Sequence, residues 1–123
     1  MSAKSSPTLA PDYALYREAV AAADVMATVT KKQGCNAAMY KFAHIQVVPV
    51  AGVNPNVAVW WWSEKAAKFI QEHVAIAKAG VGAGLPYEFT IEPKGRIFFV
   101  QVALTTGAVD ILVAGFEHVQ GSH

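Results

Sequence analysis

At 123 residues the chain fits one domain and leaves little room for a second. Ten basic and nine acidic side chains leave a formal charge of +1, too weak a field to hold a nucleic acid or an anionic membrane. A hydrophobic content of 54% against 15% charged residues supplies a real core, and a surface so poor in charge predicts that another protein covers part of it.

Residues 1–11 are rich in Ser and Pro, with Pro7 and Pro11 bracketing a stretch that has little to bury. They read as an extended or partly helical arm, followed by one domain over 12–123. The arm lacks the apolar run of a signal peptide, so secretion by that route is not expected. Over 12–28 the signals conflict. Asp12 suits a helix N-cap, and Ala19 to Ala23 favours helix, yet Val25 to Thr30 has strand character. A short helix followed by a strand is the local expectation.

From Tyr40 the pattern turns to strands. Ala43, Ile45 and Val47 alternate with Phe42, His44 and Gln46, the two-residue period of a half-buried strand. Gly52 to Asn56 is a turn cluster, and Val57 to Trp62 is a second strand rich in β-branched and aromatic side chains. Its six apolar residues are too few to cross a membrane. Residues 63–80 support two readings. Ser63 as a cap, the Glu64/Lys68 pair and the stripe Ala66, Ile70, Val74, Ala77 describe a helix ending at Gly80. The same stretch can instead loop from Ser63 to Lys68 and return as a strand. Gly80 to Gly84 reads as a linker, because no Lys-Ser/Thr pair and no helix follow it. Strands are then predicted over 87–92, 97–104 and 109–116, with turns at Pro93-Lys94-Gly95 and Thr105-Thr106-Gly107. Their short connections predict an antiparallel meander. The predicted core is Ile45, Val47, Phe89, Ile91, Val100, Val102, Ile111 and Val113.

The residues that could carry chemistry are scattered. Cys35 is a lone cysteine with no nearby His, which suits a half-buried small residue better than a nucleophile or a metal ligand. His44, His73, His118 and His123 show no metal-ligand spacing. Glu88 and Glu92 share one face of a strand at about 13 Å, too far apart for a carboxylate pair. No catalytic residue, metal or cofactor is expected. Trp60-Trp61-Trp62 stands out. On a strand Trp61 faces away from its two neighbours, so a large ring is left on the face the core does not use. Core packing on both faces, a protein interface with Trp hot spots, and a carbohydrate platform are the three readings of the run.

Two stretches carry a family likeness. One is Val57-Ala58-Val59-Trp60-Trp61-Trp62-Ser63-Glu64, followed by Lys68-Phe69-Ile70. The other is Gly95 to Val102, followed by Val109 to Phe116. The chain from Tyr40 to Phe116 resembles the small β-sandwich virion proteins of tailed bacteriophages: capsid decoration or cement proteins and head or tail fibre attachment modules. The resemblance implies a mainly β, antiparallel, jelly-roll-like sandwich. It also implies a virion location after assembly in the host cytoplasm, with a major capsid or other virion protein as partner. Together with the composition, it makes the expected function non-enzymatic: binding to a phage shell and to copies of itself as a homo-oligomer. The expected interface residues are Trp60, Trp61, Trp62, Pro7 and Pro11. The rival readings are an α+β ligand-binding or enzymatic domain with residues 63–80 helical, and a lectin-like module.

Overall fold

The computed structural model describes residues 13–37, 39–50, 54–82, 84–103 and 107–116; Pro7, Pro11 and the rest of the expected arm lie outside them. Nine strands run through these residues: β1 (Ala14–Val20), β2 (Cys35–Asn36), β3 (Phe42–Pro49), β4 (Asn56–Ser63), β5 (Lys68–Ile70), β6 (Ile76–Lys78), β7 (Tyr87–Ile91), β8 (Ile97–Ala103) and β9 (Val109–Phe116). They form two antiparallel sheets, so the chain is the expected mainly β sandwich. Sheet A has the order β1-β9-β3-β7. Sheet B has the order β2-β8-β4-β5, with β6 on the same side of β4 as β5.

Alternation builds the core. Ile45, Val47, Phe89, Ile91, Ile111 and Val113 face inward from sheet A, and Val57, Val59, Trp61, Phe98, Val100 and Val102 from sheet B, and all are buried. All eight predicted core residues are among them.

Two local expectations are corrected, and a third point, left open between two readings, is decided for the loop and returning strand. First, β7, β8 and β9 are not a meander. β7 pairs with β3, β8 pairs with β4 and β2, and β9 lies between β1 and β3. The turn at Lys94–Gly95 carries the chain from one sheet to the other. Each strand turns an apolar face toward the core, and dividing the strands between two sheets gives those faces a second layer to pack on.

Second, the stretch after Asp12 is not a helix: Ala14–Val20 is the edge strand β1, Ala21 to Ala23 follow it outside any helix or strand, and Val25 to Thr30 is not a strand. Pairing with β9 overrides the local propensity. The strand is irregular: its register shifts twice, and Ala19 takes a φ of 49°. The Ala19 N–H there donates to Asp110 Oδ1 at 2.7 Å. The chain then crosses to sheet B through two single 3-10 turns, Met26–Thr28 and Lys31–Gln33.

Third, residues 63–80 form no helix. One turn does start: Ser63 Oγ accepts from the Ala66 N–H at 3.1 Å, and the Ala67 N–H donates to the Ser63 carbonyl. Ala67 then adopts a φ of 55° and ends it. The returning strand buries Phe69, whereas Ile70 and Val74 stay exposed. The apolar stripe of the helix reading has nothing to pack against, and one buried aromatic ring outweighs it.

The crossover closes one open side of the sandwich. Arg17 of β1 donates to both carboxylate oxygens of Asp24, at 2.6 and 2.8 Å, and to the Val100 carbonyl at 3.1 Å. Asp24 exchanges two bonds with Val102 of β8: its N–H donates to the Val102 carbonyl, and its carboxylate accepts from the Val102 N–H. A two-pronged charged pair therefore ties β1, the edge of sheet A, to β8 of sheet B.

Candidate interaction surface

Strand β4 splits the tryptophans as its period demands. Trp61 points inward, 5% exposed, with its ring edge-on to Phe98 at 6.1 Å. Trp60 and Trp62 point outward and are half-buried. Trp61 thus belongs to the core rather than to the expected interface.

The outer face of sheet B carries a second aromatic layer. Trp62 packs edge-on to Phe69 at 5.0 Å, Phe69 leans on Phe99 at 5.6 Å, and the Arg17 guanidinium lies 4.7 Å from the Phe99 ring centre. Phe99 is fully buried although it faces away from the core. The crossover supplies cover here. Gly34 lies so close over Ile97 and Phe69 that a Cβ there would fall 2.5 and 2.9 Å from their side chains. Lys31 pairs with Glu64 and holds that carboxyl below its ordinary pKa, chiefly by hydrogen bonding. The Trp62 indole nitrogen is shielded and makes no hydrogen bond of good geometry, although the indole also favours the charged form of Glu64.

Trp60 is different. Its N–H donates to Gln101 Oε1 at 2.7 Å, tying the ring to a neighbouring strand of the sheet. On one side its strand neighbour is Phe99; on the other it meets the gap between β5 and β6, where no residue pairs with it. Half-buried Ala58 and exposed Ala77 flank it.

Two clefts open at the rims. One, of about 770 Å³, follows the crossover and is lined by Tyr16, Glu18, Asp24, Lys32 and Gln33 among others. The other, of about 310 Å³, lies at the end of the sandwich beside Phe42, Glu72, Thr90, Lys94 and Arg96. In the second, Arg96 lies over Trp61 and pairs with Glu72 at 3.6 Å.

The groups with reactive potential are engaged otherwise. Burial pushes the Cys35 thiol up to about 11 and raises the neighbouring Tyr16 hydroxyl as well. At neutral pH Cys35 is a thiol, not a nucleophilic thiolate. On the outer face of sheet A, His44 Nδ1 lies 3.3 Å from Glu88 and 3.2 Å from Thr90. Both contacts fall on one ring nitrogen, so the imidazole cannot pass a proton between hydroxyl and carboxylate as a triad does. Glu88 also accepts from Gln46 and Tyr13. These donors, Gln46 first, hold its carboxyl below the ordinary range against partial burial. Among the described residues no three His, Cys, Asp or Glu side chains gather as a metal site.

Sequence reasoning missed the Arg17–Asp24 clamp, the Arg96–Trp61 contact and the Glu88 network. Only the last left a signal. His44 and Gln46 occupy the polar positions of one strand and Glu88 and Thr90 those of another, and antiparallel pairing sets them side by side. No protein family, curated protein or solved structure matches the chain.

Proposed function

We propose that this chain is a non-enzymatic assembly module: a virion structural protein of the capsid decoration or cement kind, which binds a phage shell and copies of itself. One observation carries the reading. Trp60 is tied by its N–H to Gln101 on a sheet face that the core does not need, and a half-exposed aromatic held in this way suits an interface anchor. The low charge of the chain supports it, as do the protonated thiol and the single-nitrogen contacts of His44. The likeness of Val57 to Glu64 with Lys68 to Ile70, and of Gly95 to Val102 with Val109 to Phe116, to tailed-phage modules suggests the shell as partner.

The test is co-sedimentation of purified protein with phage capsids lacking decoration, comparing the native chain with Trp60→Ala. Saturable binding that falls about thirtyfold or more in the variant, the scale of a hot spot of roughly 2 kcal/mol, supports the proposal. Absence of binding to any capsid, or equal binding by a variant with unchanged thermal stability, overturns it.

A further inference from the structure

Strand β7 is a sheet edge of five residues with one outward charge, Glu88. Among the described residues it pairs with β3 alone. Natural edges are blunted by Lys, Pro or a bulge, but Tyr87–Ile91 contains none of these and keeps an unbroken register with β3. The opposite edge of sheet A, β1, is distorted and clamped by the crossover. The β7 side is also where sheet B ends in β5 and β6. Lys78 of β6 reaches within 5.7 Å of the Phe89 ring centre, and Ile70 and Val74 of the same margin are 44% and 77% exposed.

We propose that β7 pairs antiparallel with β7 of a second copy of this chain, joining two A sheets into one eight-stranded sheet across a two-fold axis. The proposal deepens the assembly reading by naming the self-contact. The residues of β7 select the register. Tyr87, Phe89 and Ile91 face the core, while Glu88 and Thr90 face solvent. A two-fold axis normal to the sheet keeps like faces together, so odd positions must meet odd positions.

Three registers overlap usefully. Centred on Glu88, that carboxylate faces Glu88 of the partner subunit. Centred on Thr90, Glu88 faces Glu92 of the partner subunit. Both set like charges opposite each other, which opposes pairing. Centred on Phe89, Glu88 faces Thr90 of the partner subunit, whose hydroxyl can donate to it, and the two Phe89 residues meet at the axis. The two Glu88 carboxylates are then diagonal neighbours, each already held by its own Gln46, Tyr13 and His44. Only this register is free of facing acids, and it also brings the exposed Ile70 and Val74 of both copies to one side.

Opposite charges at position 90 test it. The native chain at roughly 100 μM, where a micromolar Kd gives mostly dimer, should elute with twice the 13.1 kDa mass of one chain in light scattering. Thr90→Glu should raise the dimer Kd about tenfold or more, and Thr90→Lys should leave it unchanged or lower it. Both variants lose the same Thr90–His44 contact, so a shared loss of stability cannot produce opposite shifts in Kd. A monomeric native chain, or equal Kd values for the two variants, overturns the β7 pairing. Capsid binding through Trp60 is read separately, so either proposal can fail alone.

Discussion

The Arg96 guanidinium lies 3.8 Å from the centre of the Trp61 ring, so a cation caps the innermost tryptophan at the end of the sandwich. Trp61 thereby joins the core to a charged rim, and the two residues should respond very differently to truncation. Trp61→Ala should cost about 3–5 kcal/mol, as removal of a large buried ring does. Arg96→Ala should cost about 1 kcal/mol, from the lost ring contact and the loose pair with Glu72. Urea unfolding of both variants beside Trp60→Ala checks this ranking; the Trp60 variant should fall well below Trp61→Ala.

Asp24 serves the fold twice, holding Arg17 and the Val102 N–H. Asp24→Ala leaves the Val102 N–H without its acceptor and Arg17 with the Val100 carbonyl but no carboxylate, and should cost roughly 3 kcal/mol. Asp24→Asn keeps an acceptor and should cost less. Hydrogen exchange adds a local readout: in the alanine variant the Val102 amide should lose protection before the amides of β3 and β9.

Gly34 is a packing glycine. Its φ of −75° suits any residue, but a Cβ would strike Ile97 and Phe69. Gly34→Ala should therefore destabilise by about 1–3 kcal/mol through overpacking. Gly95 is the converse, with open space around it and a φ of +76°. Gly95→Ala should cost about 1 kcal/mol from backbone strain alone. Thermal melts of the two variants check both values, and a Gly34→Ala/Phe69→Leu double variant should recover part of the first loss.

Stability should fall on the alkaline side. Burial raises Cys35 from 9.0 to about 11 and Tyr87 from 10.0 to about 12. Above pH 9 the unfolded chain sheds protons that the folded chain keeps, so it binds fewer protons and folding weakens as pH rises. The loss should begin near pH 9 with Cys35 and continue to about pH 12 with Tyr87. Denaturation midpoints across this range give the slope, and Cys35→Ala should flatten its lower part. Alkylation at pH 8 should also be much slower in the folded chain than in urea.

The strands were legible where the two-residue period was unbroken. Ile45 and Val47, Val100 and Val102, and Ile111 and Val113 are core positions by sequence and by structure. Pairing was not legible. A short turn such as Pro93-Lys94-Gly95 looks the same whether it closes a hairpin or crosses between sheets, because the difference lies in what the partner strands bury. The stretch from Asp12 to Ala23 and the helix reading of 63–80 misled for a related reason. Alanine and a well-placed Ser63 cap favour helix locally, but the pairing of β1 with β9 and the packing of Phe69 on Trp62 and Phe99 decide otherwise. At the candidate surface, the opposed directions of the three tryptophans followed from the period alone. The crossover that covers Phe99 did not, since Arg17, Asp24 and Gly34 carry no common motif.

Strand β9 sits between β1 and β3, although it is the latest of the nine to be synthesised. A nascent chain therefore cannot complete sheet A until β9 has emerged, and β1 has no strand of sheet A to pair with before then. Only β4 and β5 meet through a short local turn; the other long pairings must close large loops first. Folding should be slow and concerted, as sequence-distant pairing makes it. A ribosome-bound chain stopped before Val109 should expose β3 and remain sensitive to protease throughout, with protection arriving in a single late step.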